Sequence, residues 1–508
     1  MLEIDTSTRL WDLAEQRAAR DGSAEMLVDE RGRRLTFAEF RDHAERMAET
    51  LSARGVGPGT PVTWRLPTVV EALVVTCALA RLGAVQNPVM PICGERELRF
   101  ILARTGAELF ITAEGQLGLD EAWRADRLIT DRPGLDALVV AAQGQPSRRT
   151  APNSAGPDDD VRWIFFTSGT TADPKGARHT DASVLAAAQS MAVRLDCTKA
   201  DRVGLAFPIA HIGGCGIWLG AALICGCTLV LDAAFEPERT SRFFHAEEVT
   251  LAGSGAVFIQ AYLALQRQQP DTPLFPKLRA MTAGGSARPI TLHADTKRAF
   301  GVPVLSGYGM TEAPVLAMAG PHDPDDTLHA TEGRPKPDVH LRIVAPDGRV
   351  LGAGEEGEIR AKGPQVMPGY LDASLTRDVF DEDGYLRTGD LGMLDERGYL
   401  TVTGRLKDII IRKGENISAR TLEDALASHQ AVADVAVVGL PDAGRGELAC
   451  AVVVPRGNAP TLADLTAFLA DQGLPPRQWP ERLETVDILP RNATGKILKT
   501  ELRERYST

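Results

Sequence analysis

Between residues 61 and 112 the chain alternates two kinds of apolar run, and this alternation limits the fold more than any other feature. Residues 61–65, 84–88 and 109–112 are strand-length, whereas 69–82 is a long apolar run closed by Gly83, and 95–104 has helical spacing. Strands alternating with helices predict a mostly parallel sheet covered on both faces. Upstream, the pattern predicts an amphipathic helix over 8–20 and a hairpin over 26–35 around Arg31-Gly32-Arg33. Thr36 and Glu39 have capping-box spacing and open a helix with Phe37, Phe40, Ala44, Met47 and Leu51 on one face. A further helix is expected over 181–194, strands over 330–403, and a mixed α+β region after residue 404.

The 508 residues are 44% hydrophobic and 24% charged, enough for several cores, and the length suggests two to four domains. A net charge of -12 implies no sequence-independent nucleic-acid binding. A protein of this charge that handles phosphate must place its cations locally. Seven cysteines in mostly apolar runs, with no CxxC pair, read as reduced core residues of a cytoplasmic protein. The first residues, Met1-Leu2-Glu3-Ile4-Asp5, have neither a basic nor an apolar leader, so no signal peptide is expected. Residues 212–231 carry no charge and are long enough to span a bilayer. Gly213-Gly214 and Gly226 break that run, so a buried helix leading into a core strand is the better account, and no integral membrane span is expected. Residues 143–160, rich in Pro, Ser, Gly and Asp, read as an exposed connector.

Polar chemistry concentrates after the strand-like residues 161–164, in Thr167-Ser168-Gly169-Thr170-Thr171-Ala172-Asp173-Pro174-Lys175-Gly176. Hydroxyls crowded around one glycine can aim O–H and N–H donors at phosphate oxygens, with Lys175 as a nearby cation. Pro174 and Gly176 are expected to keep that lysine on a loop. A P-loop needs glycine just before the lysine and Ser or Thr just after it; Pro174 and Gly176 stand there instead. A plain Ser/Thr-rich surface turn is the other reading of these residues.

The wording Thr-Ser-Gly-Thr-Thr-x-x-Pro-Lys-Gly resembles the signature loop of the adenylate-forming superfamily: acyl- and aryl-CoA synthetases, luciferases and peptide-synthetase adenylation domains. Ala172 stands where that family usually has glycine. Further segments resemble the family in the same order. Gly284-Gly285-Ser286 resembles its adenine-binding turn, and Tyr308-Gly309-Met310-Thr311-Glu312 its second nucleotide motif. The resemblance implies that Tyr308 faces adenine, Thr311 meets the α-phosphate, and Glu312 holds Mg²⁺ with Thr167. Asp390, in Thr388-Gly389-Asp390, would bind the ribose hydroxyls. Gly404-Arg405-Leu406-Lys407-Asp408 resembles the family hinge, with Arg405 reaching the nucleotide and Lys407 as pivot. Lys413, Gly414 and Glu415 would build the pantetheine tunnel. Pro490 to Lys496 matches the pattern Pro-x-x-x-x-Gly-Lys of the catalytic-lysine loop, which selects Lys496. His211 and Ile212, with Gly307 and Ala313, would border the acyl pocket.

The resemblance implies an α/β fold with a large N-terminal domain, residues 1–404, of doubly wound, mostly parallel sheets and a small β subdomain. A small mobile α+β C-terminal domain, residues 405–508, would turn about a hinge at 405–408. It implies an acid–CoA ligase using ATP, Mg²⁺ and CoA on a small-molecule carboxylic acid, with Lys496, Thr167 and Glu312 catalytic. No aspartate lies between Phe207 and Leu231 to pair with an amino-acid ammonium, and no cation is evident for a second carboxylate. An apolar medium-chain, alicyclic or aromatic acid is therefore expected. The loop wording is most like bacterial ligases of the cyclohexanecarboxylate or medium-chain type. Two alternatives remain open: an adenylating enzyme with an acceptor other than CoA, and a non-catalytic nucleotide-binding relative. Assembly as a homodimer is also left open.

Overall fold

The computed structural model describes residues 9–107, 109–113, 126–130, 161–167, 174–412, 415–442, 444–492 and 495–507. Two large sheets share one apolar core. The first has eight strands in the order Ala313–Met318, Val304–Met310, Ala280–Ala283, Leu251–Gly253, Arg202–Leu205, Thr228–Leu231, Glu25–Asp29, Arg34–Thr36. Its inner strands are parallel, and an antiparallel hairpin closes each edge. The second has seven, in the order Gly369–Tyr370, Lys175–His179, Trp163–Thr167, Val85–Pro88, Pro61–Arg65, Leu109–Ala113, Asp126–Thr130.

The helix Val70–Leu82 explains how the sheets come together. It is buried on nearly every face, so it cannot lie on a surface. It packs against a strand of each sheet, and Gly83, at φ 66°, ends it in the left-handed region. The helix Phe37–Ser52 covers it, opened by the expected capping box: Glu39 N–H donates to Thr36 Oγ1 at 3.2 Å and Thr36 N–H to Glu39 Oε2 at 2.8 Å.

A third, four-stranded antiparallel sheet runs His340–Val344, Gly357–Lys362, Leu386–Leu394, Leu400–Arg405 and has its own core with Tyr308, Leu316 and Tyr370. A five-stranded sheet follows, built on the hairpin Val432–Asp442 and Gly446–Pro455, with apolar clusters around Leu422 and around Leu502. This small α+β unit and the large α/β unit before it match the expected architecture.

Two local expectations change. Lys175 opens the strand Lys175–His179 rather than sitting on a loop, because residues 163–167 and 175–179 pair antiparallel as a hairpin. Gly176 allows the close packing: a Cβ there would lie 3.1 Å from Ile164 Cγ2 and 3.3 Å from Leu371 Cβ. The run 212–231 is a buried helix leading into a core strand, but its first part, Ile212–Trp218, is a π-helix, followed by Leu219–Cys225 as α-helix. Among the described residues no helix is long and apolar enough to cross a membrane. Residues 143–160 lie outside the described residues.

Candidate active site

The hairpin Val304–Met310 and Ala313–Met318 presents polar residues in its turn, Thr311-Glu312. Register shifts between Tyr308 and Met310. Gly309 sits at that irregularity, and a Cβ there would lie 2.5 Å from the Val315 nitrogen. Val315 adopts φ 51°, a left-handed conformation that a β-branched residue rarely tolerates. The surroundings hold it there, since Gln365 Nε2 donates to the Val315 carbonyl at 3.2 Å. Such stored strain is common where a turn must present functional groups.

Around Glu312 a chain of contacts joins the two sheets. Tyr370 Oη donates to Glu312 Oε1 at 2.8 Å, and Lys175 Nζ lies 5.6 Å from the Tyr370 ring centre. Lys175 pairs with Thr167 across the signature hairpin. His179 ties the same hairpin to the turn, with Nε2 2.8 Å from the Thr311 carbonyl oxygen and Nδ1 2.9 Å from Ser183 Oγ. A carbonyl only accepts, so Nε2 carries the proton. Burial pushes the His179 pKa down to about 4, so the ring is neutral near pH 7. Ser168, Gly169, Thr170 and Thr171 lie outside the described residues, as do Lys413 and Gly414.

A second group forms around Asp390, whose side chain is buried. Tyr308 Oη donates to Asp390 Oδ2 at 2.9 Å, and Arg405 Nε lies 2.8 Å from Oδ1. Lys496 joins this group from the far end of the chain. Its ammonium is pushed down to about 8, first by burial and then by the charges of Arg405 and Lys407, against the opposing pull of Asp390 and Asp408. Three cations thus converge with two carboxylates, an excess of positive charge that favours a polyanionic guest. The turn that carries Lys496 is tight: Gly495 N–H donates to the Asn492 carbonyl at 2.9 Å and Lys496 N–H to Asn492 Oδ1 at 2.9 Å. Gly495 has φ 82° and packs directly on Val257, where a Cβ would meet Cγ2 at 2.7 Å. The C-terminal unit is therefore seated on the helix Ala256–Gln268 of the large unit.

Gly284 lies where Ala280–Ala283 leaves the first sheet, with space for a Cβ 3.5 Å from the Gly307 carbonyl oxygen. Gly285 has φ 75° and nothing near its Cβ position, and Ser286 is half-buried, so a flat ligand can approach this backbone. Ligand crevices in such sheets form outside the carboxyl ends of parallel strands, as here.

His211 caps the π-helix: Gly213 N–H donates to its Nδ1 at 3.1 Å, which leaves Nε2–H as the ring's donor. Burial lowers its pKa to about 4. His211 and Ile212 line a cleft with Val89, Phe165, Phe166 and Thr311. No lysine or arginine is among the described residues of that lining. Ala313 does not belong to the cleft: it is fully buried in the core with Tyr308 and Leu316. Glu415 is exposed and begins the strand Glu415–Ser418. Sequence reasoning missed Tyr370 and the role of His179. No local pattern marks Tyr370, because it meets Glu312 only through the pairing of Gly369–Tyr370 with Lys175–His179.

Comparison with known proteins agrees with this geometry. Residues 14–371 match the model of the AMP-binding enzyme family, and residues 421–496 that of the AMP-binding enzyme C-terminal domain. A medium-chain fatty-acid–CoA ligase of Escherichia coli (strain K12) is 30% identical over 497 residues, 94% of this chain and 87% of that one. A salicyl-AMP ligase / salicyl-S-ArCP synthetase of Mycobacterium tuberculosis is 33% identical over 528 residues, covering 97% and 90%. The crystal structure of ATP-bound MatB from Rhodopseudomonas palustris superposes with a TM-score of 0.90 at 27% identity, covering 99% of each chain. With family models matching residues 14–371 and 421–496, this chain belongs to the adenylate-forming AMP-binding enzymes.

Proposed function

We propose that this protein is an ATP-dependent acid–CoA ligase that activates an apolar carboxylic acid as its acyl-adenylate and passes the acyl group to CoA. The observation that carries this reading is that Lys496, from the end of the chain, comes within reach of the charges of Asp390 and Arg405, where Asp390 is also bonded by Arg405 and Tyr308. In the first half-reaction a carboxylate oxygen attacks the α-phosphorus of ATP, and the bond to pyrophosphate breaks. The nucleophile is already an anion, so no general base is required. The obstacle is repulsion between negative charges, which Lys496, Arg405 and the hydroxyls of residues 167–171 offset electrostatically. Glu312 suits Mg²⁺: it is a buried hard-oxygen ligand, held in place through Oε1 by Tyr370. Asp390 would accept the ribose hydroxyls, Tyr308 would flank adenine, and Gly284, Gly285 and Ser286 would line its other edge.

In the second half-reaction the CoA sulfur attacks the acyl carbon and AMP leaves. Lys496 must withdraw to admit the thiol, so the C-terminal domain turns. The anchoring of the hinge supports Lys407 as the pivot and a division of the chain at 404/405. Arg405 is held to the large unit by Asp390, whereas Asp408 is held to the C-terminal helix Lys499–Tyr506 by Arg503 at 2.7 Å. Lys407 lies between these two anchors. Lys413, Gly414 and Glu415 would then line the pantetheine path.

The cleft at His211, apolar along Val89, Ile101, Phe165, Phe166 and Ile212 but carrying the carboxylate of Glu97, supports a medium-chain, alicyclic or aromatic acid, with His211 Nε2–H as the donor available to the acid's carboxylate. We place the enzyme in the cytoplasm, where its free cysteines stay reduced. A panel of such acids, given ATP, Mg²⁺ and CoA, tests the reading. Equal yields of pyrophosphate, AMP and acyl-CoA are expected from at least one acid. Pyrophosphate without thioester would instead favour transfer to a carrier protein, the reading suggested by the salicyl-AMP relative. No pyrophosphate with any acid would overturn the proposal.

A further inference from the structure

Lys496 reaches the nucleotide cleft only when the C-terminal domain is seated in one orientation. The Gly495–Val257 contact is one support of that seating. A second is polar and lies away from the reacting groups. Arg420 belongs to the first turn of the helix Ala419–Leu426, which Ser418 caps through its Oγ. Its Nε pairs with Asp424 Oδ2, one turn on, at 2.7 Å. Its Nη2 crosses to the large domain and donates to the main-chain carbonyl of Arg288 at 2.9 Å.

That carbonyl is a rigid target. Arg288 is buried, and its guanidinium donates to the carbonyls of Leu328, His329 and Thr331 at 3.2, 3.1 and 3.0 Å. Arg288 lies two residues after Ser286 of the Gly284-Gly285-Ser286 turn. Its Nε also lies 3.9 Å from Glu332 Oε1. Arg288 and Glu332 on one domain thus face Arg420 and Asp424 on the other.

We propose that Arg420 is a positioning residue for adenylation: its bond to the Arg288 carbonyl latches the C-terminal domain over the adenine-binding turn. This rests on the domain-turning reading above. Arginine suits the task because its planar fork serves Asp424 and the carbonyl at once. The latch is also easy to release. Asp424 leaves with Arg420, and Glu332 stays with Arg288, so parting the domains strands no unpaired charge. Burial raises the pKa of both Glu332 and Asp424, and the charges of Arg288 and Arg420 oppose that rise in each. Because the grip falls next to the Gly284-Gly285 turn, a seated nucleotide and a seated domain favour each other, as reciprocal coupling requires.

The test compares Arg420→Ala with the native enzyme in the two half-reactions. Pyrophosphate release from acid and ATP should fall roughly tenfold, the equivalent of about 1.4 kcal/mol. Thioester formation from supplied acyl-adenylate and CoA should be unchanged or faster. Arg420→Lys, with one compact donor group in place of a fork, should recover only part of the loss. Equal loss of both half-reactions would mean a merely structural role, and unchanged pyrophosphate release would remove the latch outright. Lys496→Ala, assayed alongside, should lose adenylation and keep thioester formation. Failure of that control strikes the domain-turning reading, whereas a normal control beside an unaffected Arg420→Ala strikes the latch alone.

Discussion

Gly495 offers a sharp perturbation, because its contact with Val257 exists only while Lys496 is seated. A Cβ at Gly495 would meet Val257 Cγ2 at 2.7 Å and Cγ1 at 2.9 Å, with Val257 Cβ at 3.4 Å. Both methyls face the turn, and a valine in a helix has one strongly preferred rotamer, so the clash has no easy exit. Gly495→Ala carries two costs. A non-glycine residue at φ 82° is strained by about 1–2 kcal/mol, but that strain is present in both domain arrangements and cancels between them. The overpacking, about 1–3 kcal/mol, is felt only when the domain is seated. Adenylation should therefore fall about 5–150-fold, while thioester formation from supplied acyl-adenylate stays near native. Pyrophosphate release and acyl-CoA formation, measured separately, give the two numbers. Val257→Ala removes the opposing methyls, so the double variant should regain most of the lost adenylation, a coupling that a double-mutant cycle reads directly. A double variant no better than Gly495→Ala alone would refute the steric argument. So would equal loss of both half-reactions.

Three further outcomes follow from the site. Lys496 is charged below its pKa of about 8, so kcat/KM for ATP should be full below that pH and fall as pH rises through it. Lys496→Arg should remove the fall because guanidinium stays charged, and a native profile flat well above pH 8 would contradict the assignment. Lys407→Pro, which locks φ, should spare adenylation and block thioester formation; unimpaired overall turnover would dismiss Lys407 as pivot. Tyr370→Phe removes the donor that orients Glu312, so the Mg²⁺ concentration for half-maximal adenylation should rise by about tenfold or more. An unchanged Mg²⁺ titration would show that Tyr370 does not act through the metal.

Much of the scaffold was legible along the chain. Strands and helices such as Pro61–Arg65 and Asp181–Arg194 follow from apolar spacing, and the Thr36/Glu39 box marked a helix start correctly. The nucleotide motifs were legible because each needs a local geometry: glycine where no Cβ fits, as at Gly309 and Gly495, or a carboxylate beside a turn. Lys175 was misplaced because proline and glycine signal a break from helix, yet proline just before a strand and glycine near its start are both tolerated. The π-helical opening of 212–225 was not legible, since its apolar content suits either helix type.

What the amino-acid order determines by itself is local: periodicity, caps, glycine positions, and the residue types that phosphate chemistry requires. What only the tertiary structure decided is which distant groups share a cleft. Tyr370 meets Glu312 across 58 residues, Tyr308 meets Asp390 across 82, and Arg420 meets the Arg288 carbonyl across 132. Short-range backbone preferences carry no information about such pairs, because sheet order and domain seating are set by burying surfaces that are far apart in sequence.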